Sequence, residues 1–425
     1  MIRYIKLLRP RLLEHHILLS LLIYSFGDFF YTSISTTLGN LVQLIGALYY
    51  IKIVLCANKS ITIPTIQKIC LTFLSIWTLV LVFRTFFFDT NIIISLPLKD
   101  AVMNFFLGER IWPIFLVFIP YVLGYRYNID MSYFCRIGFF LAIIFLILYP
   151  FAYYSMVNFQ FTMYGEDGEN YQDFISSSTM GITSFCPCLI LLFWKKYIPT
   201  KIWYITLIAC IANLLMTMYM ARRGDTVITI IYFILIWYLY TTQSKKNNKF
   251  KMVIIAVVLI FMCYNIFTNL SDSFFSLLIE RSNVDTRSGV ENNFYKDFSS
   301  DFDWLFGRGL LGTYFDNIFG EQRFSIETGY LFIILRCGLL YLIPYVILLL
   351  LSGIKGYIRS KNIFVKSIAI FMLMSVLELY PWGYQTFTFK FYIIWLGVYI
   401  CNSKYFLNMS DNDIQETLFA KSIIK

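Results

Sequence analysis

Long apolar runs separated by short polar segments dominate this 425-residue chain. About 20 residues of helix cross the roughly 30 Å hydrocarbon core of a bilayer, so each run of that length predicts a transmembrane helix. The pattern predicts twelve spans, at about 17–36, 38–57, 66–88, 110–126, 134–154, 176–194, 202–220, 225–241, 252–270, 326–351, 362–381 and 385–402. The segment between the ninth and tenth spans, about 271–325, is predicted to be one large loop outside the bilayer.

The composition favours the same fold class. Hydrophobic residues make up 59% of the chain and charged residues only 14%, with a mean hydropathy of +0.68. One soluble core could not bury that much apolar surface, so we expect an all-α polytopic membrane protein forming one transmembrane domain over residues 1–425. The apolar N-terminal segment lacks a small-residue cleavage site and is expected to be retained. The nine cysteines lie in or beside apolar runs, which predicts buried packing rather than disulfides.

The distribution of lysine predicts the topology. Basic residues, mostly lysine, are concentrated at the N-terminus (RYIKLLRPR), in SKKNNKFK (244–251), in the tail and in the loops around 52–68, 195–201 and 355–366, and the loop around 126–136 carries Arg126 and Arg136. By the positive-inside rule these segments face the cytoplasm, and both termini are predicted to be cytoplasmic. The net charge of +10 follows largely from this pattern and does not indicate nucleic acid as a partner.

The loops on the other side are rich in arginine instead. They comprise about 89–109, the acidic YGEDGENYQD (164–173), the short turn 221–225 and the large loop 271–325. These loops and the adjacent span ends carry Arg84, Arg110, Arg222, Arg223, Arg281, Arg287, Arg308 and Arg323, against Lys99 and Lys296. Arginine offers a planar, permanently charged fork suited to phosphate and carboxylate. Because basic residues are disfavoured outside, we infer that a function requires them.

The stretch DWLFGRGLLGTY contains a G-x-G-x-x-G at Gly307, Gly309 and Gly312. A dinucleotide-binding interpretation requires a strand before the motif, a helix after it and a βαβ unit around it. None of these fits a loop between two spans, so the glycines are predicted to form a turn that brings the loop back over the membrane. The DFD at 301–303 is expected to be salt-bridged, and no metal or cofactor is predicted.

Three segments carry a resemblance to a known family. They are MARRGDTV (220–227), ERSNVDTRSGVENNFYKDFSSDFDWLFGRGLLGTYFDN and IETGYLFIILRCGLLYLIPY. They resemble the C-terminal signature of the O-antigen polymerase and O-antigen ligase superfamily, and the predicted topology agrees along the whole chain. The resemblance implies a GT-C-like all-α fold of about 12 helices. It also implies transfer of a growing glycan from undecaprenyl pyrophosphate to a lipid-linked repeat unit at the outer face of the bacterial inner membrane.

The chemistry of this transfer suggests functions for particular residues. Arg223 and Arg287 are the candidates for stabilising the departing pyrophosphate, and Arg222 stands beside Arg223 at the opening of the eighth span, where helix N–H groups favour anions. Glu327 is the candidate general base, because the chain has no histidine outside. Further substrate-binding candidates are Arg281, Arg308 and the intramembrane Arg336, with Trp304 stacking on a sugar.

Each assignment has a structural alternative. The arginine pair at 222–223 would also anchor a helix end at lipid headgroups, and Glu327 would also serve as a helix cap or arginine partner. Glu291, Asp297, Asp301 and Asp303 are alternative bases that we expect to be solvated loop charges. Lys390 is expected to pair with Glu378 on the neighbouring span.

Three functions fit this class of protein. The resembling ligases often have a histidine where this chain has Glu327, which favours a polymerase over a ligase that attaches chains to lipid A-core. A lipid-linked oligosaccharide flippase also has about twelve spans, but it needs charges along a central cavity and no large outside loop. Expected partners are undecaprenyl-pyrophosphate-linked glycans, membrane lipids, and a chain-length regulator and flippase of the same pathway.

Overall fold

A computed structural model describes residues 12–57, 62–87, 112–124, 129–158, 188–219, 223–243, 288–317, 320–323, 326–380 and 386–419. Its first helices are α1 Leu13–Ser33, α2 Thr36–Cys56, α3 Thr65–Phe87, a 3-10 helix Trp112–Phe118, α4 Ile119–Leu123, α5 Met131–Asn158, α6 Cys188–Phe193, α7 Thr200–Tyr219 and α8 Arg223–Gln243. The second half contains α9 Ser288–Asp297, α10 Asp301–Phe306, β1 Tyr314–Asp316, β2 Glu321–Arg323, α11 Gly329–Cys337, α12 Leu339–Arg359, α13 Ile363–Glu378, α14 Phe389–Ile400, α15 Lys404–Asn408 and α16 Asp411–Leu418.

Six helices among the described residues are long and apolar enough to cross a membrane: α2, α3, α5, α7, α8 and α12. Five of them correspond to predicted spans, and α12 overlaps the second half of the span predicted at 326–351. Helix α1 matches a seventh, whereas α13 and α14 are shorter, at 16 and 12 residues. The span predicted at 252–270 lies outside the described residues, as do parts of those at 110–126 and 176–194. The length and apolar composition of these helices therefore indicate a mostly helical membrane protein.

The outer faces of these helices are apolar. On α2, exposed Leu38, Leu41, Ile45 and Leu48 recur at helical spacing along one side. The opposite side of α2 packs against α1 through glycine, since a Cβ at Gly39 would meet Tyr31 at 2.3 Å. Continuous exposed apolar faces are rare in water-soluble monomers, and small residues between helices are typical of membrane bundles. The pattern is that expected of helices surrounded by lipid.

The prediction of one helix across 326–351 is wrong. The chain forms two helices there, α11 and α12, which meet at Gly338. Gly338 has φ +73, a left-handed conformation, and its N–H caps α11 by bonding to Ile334 O at 2.9 Å. The helix that meets the length and hydropathy of a span is α12 alone. Helix α11 has only nine residues, all but Tyr330 of which are buried.

The described part of the predicted loop is a compact structure. Residues 288–317, 320–323 and 326–328, which we call the lobe, contain α9, α10 and the antiparallel pair of β1 and β2. The two strands are a departure from the expected all-α fold, and the pairing of Tyr314 with Arg323 sets their register. Phe294, Phe298 and Tyr314 of the lobe form an apolar cluster with the buried face of α11.

The lobe defines one end of the helix bundle. Tyr330 N at the start of α11 bonds Leu379 O at the end of α13, and α12 begins directly after α11. We call this the lobe end. The distal end contains Arg359, Ile363 and the helices α15 and α16, since Lys361 N bonds Leu407 O.

A buried ion pair lies close to the lobe end. As the sequence predicted, the ammonium of Lys390 on α14 pairs with Glu378. The side chain of Glu378 is almost fully buried. The hydroxyl of Tyr232 on α8 also donates to Glu378, at 2.8 Å. Tyr232, Glu378 and Lys390 lie on three different helices, so these contacts join α8, α13 and α14. Removing one partner of the buried pair would leave an uncompensated charge.

Polar contacts also join the start of α1 to α5 and α14. The Glu14 carboxylate accepts from Asp130 N at 2.7 Å and from Tyr392 OH at 3.0 Å. His15 Nε2 lies 3.2 Å from the Asp130 carboxylate, and its ring stacks on Tyr133. Both histidines of the chain belong to α1, so the lobe has none.

Asp411 attaches α16 to the distal end. It accepts hydrogen bonds from Tyr197 OH at 2.5 Å, Ile363 N at 2.8 Å and Lys196 Nζ at 2.9 Å. Burial alone would raise the pKa of Asp411, but these three donors outweigh it, so the pKa lies below its ordinary value. A carboxyl whose pKa is lower in the folded state than in the unfolded state stabilises the fold. The full contribution is present above the pKa of the unfolded state, about 3.9, and it is lost as the pH falls through the pKa of the folded state.

We therefore expect Asp411→Asn to lower the hydrogen-exchange protection of α16 amides at pH 7, and the difference from wild type to shrink below about pH 4. Glu416→Gln removes the same charge from the exposed face of the helix and is the control. Equal protection of Asp411→Asn and wild type at pH 7 would contradict this account.

Candidate functional site

The glycine motif forms the turn by which the lobe docks on the bundle. Gly307 and Gly338 both have positive φ, and their backbones face each other. A Cβ at Gly307 would lie 2.7 Å from Arg336 C and O and from Gly338 N. Arg308 N donates to Leu335 O at 2.7 Å, which fixes the contact. Glycine is required here because two backbones approach more closely than side chains permit.

Helix α3 supports the same junction. Arg84 Nη1 donates to Phe306 O at 3.1 Å, and Trp77 Nε1 donates to Cys337 O at 2.9 Å. The hydroxyl of Thr85 accepts from Leu310 N at 3.4 Å. Arg84, at the lobe end of α3, thus holds the loop backbone, a function that its residue type alone did not indicate.

Arg308 is at the centre of the lobe's polar network. Its guanidinium binds the carboxylates of Asp297 and Asp303, and also donates to Thr313 O and Asp297 O at 2.9 and 2.8 Å. Burial lowers the pKa of Arg308, but the two carboxylates more than reverse this and raise it. The expected salt bridge at DFD is confirmed for Asp303. The expectation that Asp297 and Asp303 are solvated loop charges is wrong, because both pair with Arg308. Arg308 holds α9, α10 and β1 together.

We expect Arg308→Ala to destabilise the lobe by about 2 kcal/mol, because two carboxylates lose their charged donor. Arg308→Lys keeps the charge but loses the fork and is expected to recover only part of the stability. Lys296→Ala, an exposed change on α9, the helix that carries Asp297, is the control. The measurement is the rate of proteolytic cleavage within the lobe. A rate unchanged by Arg308→Ala would refute the network's importance.

The predicted sugar-stacking residue, Trp304, is half-buried within the lobe. Its Nε1 donates to Phe298 O at 2.8 Å, and its ring meets Phe294 and Phe298 edge-on. The ring of Tyr295 lies parallel to Trp304, with an interplanar angle of 11° and centroids 6.2 Å apart. Tyr295 is 43% exposed, so it presents the outer ring of this pair.

Two glutamates, Glu327 and Glu291 of α9, lie near the start of α11 in different environments. Glu327, the predicted base, is exposed beside the β1–β2 pair. Burial raises the pKa of Tyr314, and the carboxylates of Asp316 and Glu327 add to this against the charge of Arg323. The other glutamate, Glu291 on the first turn of α9, accepts a hydrogen bond from the hydroxyl of Thr328.

Sequence reasoning missed Thr328. A threonine directly before an apolar helical run is a typical N-cap, and Thr328 is the N-cap residue of α11. Its hydroxyl makes no capping bond and is donated to Glu291 instead. The threonine before the apolar run, which signals an N-cap, therefore marks a residue that positions the carboxylate of Glu291.

Tyr330 connects this carboxylate to the exposed rings. Burial, a hydrogen bond with Tyr295 and the charge of Glu291 are among the causes that raise the pKa of Tyr330 to about 12. Tyr330 also stacks on Tyr380, with an interplanar angle of 12° and centroids 6.5 Å apart. Tyr380 is 68% exposed.

The remaining predicted arginines divide into two groups. Arg336 is 3% exposed on α11, and its guanidinium lies 4.4 Å from the ring centroid of Phe332, so it is packed within the junction. Arg223 is the first residue of α8, and its side chain is not described. Arg222, Arg281 and Arg287 lie outside the described residues; Arg287 directly precedes α9.

Helix α8 begins at the lobe end. Tyr232 contacts Glu378 near that end, while Tyr240, farther along α8, accepts from Lys195 N at the distal side. Arg223 stands nine residues before Tyr232, about 14 Å along the helix. The N-termini of α8, α9 and α11 consequently belong to one end of the bundle, with Arg223, Arg287 and Glu327 at or next to them.

Comparison with known proteins adds no assignment. No family model, curated protein or solved structure matches the chain. Among the described residues, no group of three or more histidine, cysteine, aspartate or glutamate side chains has the arrangement of a metal site. Function must be argued from the lobe end itself.

Proposed function

We propose that this protein is a polysaccharide polymerase of the O-antigen type, a glycosyltransferase acting at the outer face of the bacterial inner membrane. The observation that carries the proposal is that α8, α9 and α11 all begin at the lobe end. In the sequence, Arg223 is the first residue of α8, Arg287 directly precedes α9, and Glu327 stands two positions before α11. Helix N-termini and guanidinium groups favour the same ligand, an anion such as a diphosphate.

The proposed reaction exchanges one bond at an anomeric carbon. A sugar hydroxyl of the lipid-linked repeat unit attacks the anomeric carbon of the growing glycan, and the bond from that carbon to the diphosphate oxygen breaks. Undecaprenyl pyrophosphate leaves with the electron pair, stabilised by Arg223 and Arg287, while Glu327 takes the hydroxyl proton. Arg222, Arg281 and Trp304 are the proposed substrate-binding residues. Arg308 and Arg336, which the sequence also suggested, are instead packed within the lobe and its junction with α11.

Arginine serves this step without a metal ion. The leaving diphosphate gains negative charge in the transition state, and a planar guanidinium donates two parallel hydrogen bonds to its oxygens. Preorganised donors of this kind lower the barrier because they need no reorganisation during the reaction. The proposal therefore includes metal-independent transfer.

The folded lobe favours an enzyme over a flippase. Its own apolar cluster and ion pairs hold a structured surface against the ends of the helices, where lipid-linked substrates would meet. A flippase instead requires charges along a path through the bundle. In the part of the chain that the structure describes, the buried carboxylates of the bundle have local partners. Glu378 pairs with Lys390 and Asp130 with His15. Glu14 accepts a hydrogen bond from Tyr392, and Asp28 accepts one from Gln43. A ligase to lipid A-core is the second candidate.

Deletion of the gene in its host distinguishes the candidates. For a polymerase, we expect lipid A-core carrying a single repeat unit and no long chains. Long chains retained on undecaprenyl pyrophosphate, with none attached, would indicate a ligase. Repeat units held on the cytoplasmic leaflet would indicate a flippase. Electrophoresis of lipopolysaccharide and extraction of the lipid-linked glycans separate these results, and a plasmid copy of the gene is the control.

A further inference from the structure

Four aromatic rings form a continuous row at the lobe end. Trp304 stacks on Tyr295, and Tyr330 stacks on Tyr380. The side chains of Tyr295 and Tyr330 lie close enough to each other for Tyr295 to influence the pKa of Tyr330. The row joins the lobe to α11 and to the end of α13. Its two most exposed members are Tyr295, at 43%, and Tyr380, at 68%. We call these four residues the aromatic track.

Polar groups accompany the rings. Thr328 donates to one oxygen of Glu291, and the charge of Glu291 acts on Tyr330, so the carboxylate lies beside the track. A carboxylate has a second oxygen that accepts hydrogen bonds. The phenol groups of the tyrosines supply further donors and acceptors along the same surface.

We infer that the aromatic track and Glu291 form a binding site for the sugar rings of a glycan chain. A sugar presents an apolar C–H face, which fits a flat ring, and hydroxyl groups at its edge, which donate to a carboxylate. The exposed aromatic rings provide the flat apolar surface, and Glu291 provides the acceptor for the hydroxyl groups. This inference rests on the proposed function, since it assigns the growing glycan to this surface.

Charge argues for sugar rather than lipid as the occupant. A headgroup phosphate would be repelled by the carboxylate of Glu291. An acyl chain would leave Glu291 and Thr328 without partners from the ligand, which is unfavourable for polar groups covered by a ligand. Tyrosine is also common at membrane interfaces, so anchoring in lipid is the alternative that the experiment must exclude.

The test measures binding of short oligosaccharides, released from the host's own polysaccharide by mild acid, to the full-length protein in phospholipid nanodiscs. Tyr295→Ala and Tyr380→Ala are each expected to weaken binding about fivefold, because each removes one stacking face. Tyr295→Phe and Tyr380→Phe keep the ring and should remain within about twofold of wild type. Glu291→Gln removes the charged acceptor and should weaken binding about tenfold.

Tyr405→Ala is the matched control. Tyr405 lies at the distal end and is 42% exposed, close to the exposure of Tyr295. Unchanged affinity in the two track alanine variants would overturn the inference. So would alanine variants that lower the protein's thermal stability in nanodiscs without changing affinity, since that result indicates membrane anchoring.

The outcomes separate this inference from the proposed function. Wild-type protein that makes long chains, with track variants that bind oligosaccharide normally, would refute the track and leave the polymerase intact. Suppose instead that the track variants weaken oligosaccharide binding but that deletion of the gene leaves long chains unchanged. This result would refute the polymerase and leave a glycan-binding site.

Discussion

Arg223→Ala and Arg287→Ala are each expected to abolish long polysaccharide chains while the protein still inserts in the membrane. A preorganised donor to a developing negative charge contributes about 100-fold or more to the rate, so a slow polymerase would yield mainly single units. Both residues stand at or next to helix N-termini at the lobe end, where the backbone dipole acts in the same direction. Chain length is measured by electrophoresis of lipopolysaccharide.

Lysine and distal arginine variants show whether the effect is specific. Arg223→Lys and Arg287→Lys keep a point charge but lose the fork, so partial activity is expected. Arg359→Ala removes an exposed arginine from the distal end of α12 and should leave chain length unchanged. If the alanine variants at 223 and 287 gave chains of normal length, these residues would not stabilise the leaving group.

Gly338→Ala is the second change with a large expected effect. The new Cβ would lie 2.1 Å from Leu305 O and 2.7 Å from Gly307 N, both backbone atoms that no side-chain rotation can move away. It would also force alanine into a left-handed conformation. We expect a loss of about 3 kcal/mol or more in the stability of the junction, with loss of polymerisation.

Gly320→Ala separates the two causes. Gly320 has φ +66, but a Cβ there meets nothing within 4 Å, so only the backbone cost of about 1 kcal/mol applies. Thermal unfolding in detergent and proteolysis of the lobe measure the difference between the variants. Equal effects of the two changes would show that the close approach of Gly307 and Gly338 does not hold the lobe in place.

Hydropathy predicted the membrane helices well because it is a local property. Each run at 38–57, 66–88, 134–154, 202–220 and 225–241 has a corresponding helix of spanning length. The break at Gly338 was missed, since apolar residues continue on both sides and a glycine within a membrane helix is common. The left-handed conformation of Gly338 follows from its contact with Gly307, which is about thirty residues away in the sequence.

The candidate site was predictable only in part, because most of its contacts form between separate elements of the folded lobe. The pairing of Lys390 with Glu378 follows from their places on neighbouring spans, and it is confirmed. The contacts of Arg308 with Asp297 and Asp303 and of Thr328 with Glu291 arise when α9 folds against α10 and α11. A carboxylate and its donor can be many positions apart in the chain, so spacing alone does not pair them. The assignments of Arg223, Arg287 and Glu327 stay predictions.

Reconstitution of the purified protein tests the central claim most directly. The protein would be placed in liposomes with an undecaprenyl-pyrophosphate-linked repeat unit and a metal chelator, and both glycan length and free undecaprenyl pyrophosphate would be measured over time. We predict glycans of several repeat units, release of one undecaprenyl pyrophosphate for each bond formed, and loss of both products in Arg287→Ala. Substrate that stays at one repeat unit with wild-type protein would contradict the account, as would elongation that stops when the metal is removed.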